Sequence, residues 1–281
     1  MSIRRGFVDL PHGQMHYRTA GQGSLTGDGV PLLIIHASPG SSRQQVGLIA
    51  DFAPDTLVLA PDTPGNGDSE ALGPEVLSVP DMAAAYLAFM DAQGVARAHI
   101  YGSHTGAAIA AELAILAPDR VASVVMDGIS VMDEAELADI MVHYAHPFEP
   151  DLEGGYLQRI FQFCRDQYLF FPWYKRDKAH QRIGGLPHPD DLYAWVLEVL
   201  KGAKTYHRNY RAAFQWNALV RLPLVAPRAL VIAGENDPLI DGTQRAAAAL
   251  PSSAFTALPR FDDPAFRAAR KAAMVAFYTG A

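Results

Sequence analysis

The chain has 281 residues, 49% of them hydrophobic and 19% charged, which suits one α/β domain carrying an inserted subdomain around a sizeable buried core. Its formal net charge of −7 and the lack of any Lys/Arg run argue against a nucleic-acid partner. A single cysteine, Cys164, excludes an internal disulfide or a cysteine-built metal site, and the sequence has no 18-residue apolar run and no signal peptide, so a cytoplasmic protein without membrane contact is expected.

In chain order, IRRGFVDL and GQMHYRTA read as two strands joined at Pro11-His12-Gly13, a hairpin signal. VPLLIIH and DTLVLAPD are near-continuous apolar runs, the pattern of strands buried on both faces. VPDMAAAYLAFMDAQGV reads as a helix with Asp81 near its start and Gly94 closing it. AHIYGS is the next strand, TGAAIAAELAILAP a tightly packing helix stopped at Pro118, and VASVVMDG a strand again. Such alternation predicts a mostly parallel sheet flanked by helices. From about 131 to 220 the texture turns helical and aromatic, with Trp173 in YLFFPWY and Tyr206 and Tyr210 in TYHRNYRAAFQW. RALVIAGENDP, GTQRAAAAL, SAFTALP and DPAFRAARKAAMVAFY then restore strand, helix, strand and helix. The expected division is a core of residues 1–130 and 221–281 with a helical cap of 131–220.

Four stretches, in order, carry a resemblance to the α/β-hydrolase family: HASPGSSR, DTPGNGDS, GSHTG and AGENDPL. The epoxide hydrolases and haloalkane dehalogenases, with their aromatic helical lids, are similar in style. The resemblance implies the α/β-hydrolase fold, a strand–elbow–helix at GSHTG, and an oxyanion hole formed by the backbone N–H groups of Ser38 and Thr105. It implies an acid at Asp237, with Asp127 as the position some members use instead, and a bracing role for His36 beside the substrate.

The sequence departs from that family where the chemistry sits. The elbow tip, expected to be a nucleophile, is His104, and serine stands one place early at Ser103. The last of ten histidines is His207, so none follows Asp237 to complete the usual triad, and Asp262 and Asp263 occupy the stretch where it belongs. Imidazole with a carboxylate suits general base chemistry, and Asp237, Asp262 and Asp263 are all candidate partners. His104 or Ser103 acting as a nucleophile, and a site that only binds, are the competing expectations.

His143 and His146, three apart in MVHYAHP, could line the pocket; they also have metal-ligand spacing, but nothing nearby completes a site. Tyr206 and Tyr210, on one helical face, could polarise a substrate oxygen. The expected protein is thus a cofactor-independent enzyme for a small apolar or aromatic molecule, monomeric or homodimeric. Hydrolysis of an ester, lactone or epoxide leads; a lyase, isomerase, decarboxylase or cofactor-free oxygenase reaction is the alternative.

Overall fold

The computed structural model describes residues 2–73, 75–251 and 253–280. The hairpin signal yields β1 (Arg4–Leu10) and β2 (Gly13–Ala20), paired antiparallel. The apolar runs become β3 (Leu32–Ile35), β4 (Val58–Pro61), β5 (Ala98–Ser103), β6 (Val121–Asp127), β7 (Ala229–Gly234) and β8 (Ser253–Leu258). They form one eight-stranded sheet in the order β1-β2-β4-β3-β5-β6-β7-β8, parallel from β4 through β8.

Period-two geometry divides the strand side chains between two apolar layers. Leu33, Ile35, Val124, Met126 and Val231 point to one face, where they meet α2 (Val79–Ala92) and α3 (Thr105–Leu116). Leu32, Ile34, Val125, Leu230 and Ile232 point to the other, against α1 (Val46–Phe52) and α10 (Phe266–Thr279). Burial on both faces explains why these strands read as continuous apolar runs rather than alternating ones.

Between β6 and β7 the chain leaves the sheet for α4 (Glu134–His143), α5 (Gly155–Leu169), α6 (Pro189–Lys201), α7 (Tyr206–Gln215) and α8 (Ala218–Arg221), before α9 (Ile240–Ala249) returns after β7. The insertion has its own aromatic core, in which Ile140, Ile160, Phe163, Cys164 and Val199 are buried with Tyr144, Tyr206 and Tyr210. It is fastened to the loop after β4: Asn209 donates to Pro64 O at 2.9 Å and to Asn66 Oδ1 at 2.8 Å, and Arg208 donates to Leu72 O at 2.7 Å. Asp62 holds that loop in shape, accepting from Ser42 N at 2.8 Å, from Asp68 N at 3.0 Å and from His16 Nδ1 at 2.9 Å.

The far end of the insertion is fastened to α3. Glu112, fully buried in that helix, accepts from Trp216 Nε1 at 2.9 Å and from Arg221 Nε at 3.0 Å. Removing the cation would leave a buried carboxylate with the indole as its remaining donor. Arg221→Met is therefore expected to destabilise the chain by about 3 kcal/mol, read as a lower midpoint in urea unfolding; an unchanged midpoint would show that the pair contributes nothing.

Candidate active site

The turn from β5 into α3 sets His104 at its tip, with φ 49° and ψ −111°, the one non-glycine residue at positive φ among those described. Flanking glycines make the turn possible. A Cβ on Gly102 would lie 2.1 Å from Gly106 O, and one on Gly106 would lie 2.3 Å from Ile35 O, so helix and strand backbones approach as only glycine allows. The His104 amide donates to Asp127 O at 2.9 Å, tying the tip to the neighbouring strand.

The imidazole lies against the loop after β7. Its Nε2 is 2.8 Å from Asp237 Oδ2, and Asp237 is buried while the His104 side chain stays 36% exposed. The other oxygen, Oδ1, accepts from Leu239 N at 2.7 Å, which fixes the carboxylate plane. Burial alone would disfavour both charges; the mutual attraction prevails, so the His104 pKa is raised and that of Asp237 lowered. An ionised Asp237 can only accept, so Nε2 carries the proton in this contact. Nδ1 then keeps its lone pair in the neutral ring, and among the described residues it has no hydrogen-bond partner.

Gly128, just beyond β6, makes room for the ring. It sits at φ +70°, and a Cβ there would lie 2.4 Å from His104 Cδ2 and 2.9 Å from Asp237 Oδ2. Gly128→Ala is expected to push the imidazole off the carboxylate. The measurement is NMR titration of His104, whose pKa should fall from its raised position to or below the ordinary 6.5; retention of the raised value would refute the packing role.

The imidazole borders a cavity of about 240 Å³ between the sheet end and the insertion. Met132, Phe171, Trp195, Phe214 and Trp216 supply its apolar walls. Ser38 and Thr105 line it as well, and among the described residues neither backbone N–H has a protein acceptor. Ser38 Oγ is buried and likewise unpartnered. Tyr144, Tyr210, Gln167 and Arg182 form the polar part of the wall.

Other expected site residues lie elsewhere. Asp262 is held by Arg260 two residues away, at 2.7 Å, and also accepts from Asn236; it does not reach His104. Asp263 is exposed and accepts from Ala265 N at 2.8 Å, in the turn ahead of the last helix. His36 is buried behind the cavity wall, Nδ1 donating to Ala37 O at 2.9 Å and Nε2 accepting from Thr63 N at 2.8 Å, so it braces two loops and offers no nitrogen to a ligand. Asp127 lies under the elbow, accepting from Tyr101 Oη at 2.6 Å, and Ser103 does not line the cavity.

His143 and His146 sit exposed at the end of α4, paired with Asp139 O at 3.0 Å and Val142 O at 2.8 Å. Trp173 and Tyr206 turn inward to the insertion's core, donating to Tyr144 O at 3.0 Å and His146 O at 2.8 Å. Of the tyrosine pair, Tyr210 alone lines the cavity. Among the described residues, His16, Asp62 and Asp68 come close enough to hold a cation, but Asp62 is already committed to three donors in its loop.

Sequence reading missed Gly128, Gln167 and Arg182. Gly128 had a visible signal, a glycine directly after a buried strand. Gln167 and Arg182 had none, because a single polar residue within helical or loop sequence carries no periodic mark.

This arrangement of sheet, elbow and inserted helices has known counterparts. The sequence matches the alpha/beta hydrolase fold family over residues 30–263, and the chain belongs to it. The enol-lactonase of Burkholderia xenovorans LB400 superimposes with a TM-score of 0.73 at 18% identity, covering 98% of this chain and 100% of that one. Epoxide hydrolase A of Mycobacterium thermoresistibile superimposes with a TM-score of 0.70 at 19% identity, covering 98% of each chain. At such identities the likeness is one of fold. Over 121 residues the chain is 33% identical to the dihydrolipoyllysine-residue acetyltransferase component of the acetoin cleaving system of Cupriavidus necator. That stretch is 43% of this chain and spans 30% of the relative.

Proposed function

We propose that the chain is a hydrolase-type, cofactor-independent enzyme in which His104 acts as general base on a small apolar or aromatic ester, lactone or epoxide. The observation that carries this reading is the 2.8 Å contact between His104 Nε2 and Asp237, which leaves Nδ1 free at the elbow tip. For an ester, Nδ1 takes a proton from water, and the water oxygen attacks the carbonyl carbon. The Ser38 and Thr105 N–H groups receive the resulting oxyanion. Collapse of the tetrahedral intermediate expels the alkoxide, which recovers the proton from the imidazolium. Asp237 stabilises that cation and holds the tautomer. Residues 131–220 serve as the lid that closes the cavity, and residues 1–130 and 221–281 as the catalytic core.

A second reading uses the same groups without water. Nδ1 removes a proton beside a substrate carbonyl and the two N–H groups hold the enolate. The free Nδ1, with no side-chain hydroxyl bonded to it, favours this reading.

The test is turnover of a panel of esters, lactones and epoxides by wild type and His104→Ala. Hydrolysis by the wild type that the variant loses supports the first reading. No hydrolysis, with deuterium exchange from heavy water into a bound ketone, supports the second. Neither reaction despite measurable ligand binding would leave a binding module and overturn both.

A further inference from the structure

The wall of the cavity contains polar groups that the base chemistry does not use. Arg182 lies in the loop between α5 and α6 and lines both the cavity and the groove outside it, where it meets Ile183, Asn236 and Pro238. Its Nη1 donates to Gln167 O at 2.5 Å. Among the described residues it forms no ion pair, whereas its neighbour in the groove, Arg260, is matched to Asp262 at 2.7 Å. Its charge reaches the dyad, acting against the charge on His104 and in favour of that on Asp237. Glu235 and Asp237 line the same groove, yet among the described residues no carboxylate comes within ion-pair distance of Arg182.

Gln167 gives a second, independent sign. It is buried at 8% exposure in the cavity wall; its Oε1 accepts from Tyr210 Oη at 3.2 Å, and its Nε2 has no partner. A buried amide donor without an acceptor costs on the order of 1–3 kcal/mol unless something supplies one. An unpaired guanidinium and an orphaned amide N–H on one wall are the donor set for a carboxylate. The aromatic walls suit the rest of such a molecule.

We propose that the cavity selects an organic anion: Arg182 binds the carboxylate of an aromatic or aliphatic substrate whose reacting carbonyl or ring lies toward His104, and Gln167 beside it in the wall rotates its buried, unpartnered amide to complete the contact. The proposal rests on the cavity being the substrate site, as the functional reading has it, but not on His104 being a base.

Binding rather than turnover tests it, so failure of the base mechanism would leave it standing. The probes are 2-naphthoate and its neutral counterpart 2-naphthamide, titrated calorimetrically at about pH 8, where an aromatic carboxylic acid is fully ionised. Wild type is expected to bind the carboxylate about tenfold to a hundredfold more tightly than the amide. Arg182→Gln should abolish that preference, Arg182→Lys should keep part of it, and His104→Ala should keep it whole. Equal binding of the two probes by wild type, no binding of 2-naphthoate up to about 10 mM, or a preference that survives Arg182→Gln would overturn the proposal. So would a preference lost in His104→Ala, which would make imidazolium the anion's partner. Should Arg182→Gln fail to fold, loss of the preference in Arg182→Lys would also count against a charge-based site.

Discussion

Replacement of His104 by alanine is expected to lower kcat by about 10²–10⁴-fold, the usual contribution of a positioned general base. The chain should stay folded, because the side chain is partly exposed and its loss removes one contact at the rim of the cavity. KM should change little, since the apolar walls and the polar groups opposite remain. His104→Ser should not restore activity: no histidine follows Asp237 in the sequence, so nothing stands beside that carboxylate to activate a new hydroxyl. Turnover of the same substrate by both variants decides the matter, and near-normal turnover by His104→Ala would end the base mechanism whatever the geometry.

Asp237→Asn is expected to cost a comparable factor, about 10²–10⁴-fold, through the tautomer. An asparagine in this place can present an N–H to Nε2, which moves the ring proton to Nδ1, the nitrogen that must be free. The pH profile adds a second readout. Burial opposes the charge on His104, and Asp237 overrides it to raise the pKa above the ordinary 6.5. The acid limb of kcat/KM should therefore have its midpoint above 6.5, and Asp237→Asn should move it down. Stability follows with defined sign. The raised His104 contributes fully below 6.5, and its contribution is lost as pH rises through the raised value. The lowered Asp237 contributes above 3.8, and its contribution is lost as pH falls through the depressed value. The pair thus stabilises most between 3.8 and 6.5, and Asp237→Asn should lower the unfolding free energy across that window and remove the pair's share of the decline on either side of it. An acid limb unmoved by the substitution would detach His104 from the pH profile.

The strands were legible because burial on both faces leaves unbroken apolar runs, and the elbow was legible because its glycines answer to close backbone contacts that no other residue survives. The choice among three aspartates was not. Asp262 sits at the end of the chain where a partner was expected, yet a local pair with Arg260 claims it, while Asp237 is brought to His104 across 133 residues of sequence. The tyrosine pair shows the same limit. Helical spacing put Tyr206 and Tyr210 on one face, but that face is broad enough for Tyr206 to turn toward His146 while Tyr210 meets the cavity. Arg182 and Gln167 acquire meaning only through what surrounds them in space.

The backbone of His104 has a consequence for what selection can have done to this chain. An L-residue held at φ 49° and ψ −111° costs on the order of 1–3 kcal/mol, and glycine would adopt the same conformation without that cost. A lineage kept only for its ability to fold would gain by shedding the side chain at 104, since chains hover near a stability threshold and such relief is readily found. The imidazole thus stands at a position where drift toward foldability alone would favour its loss.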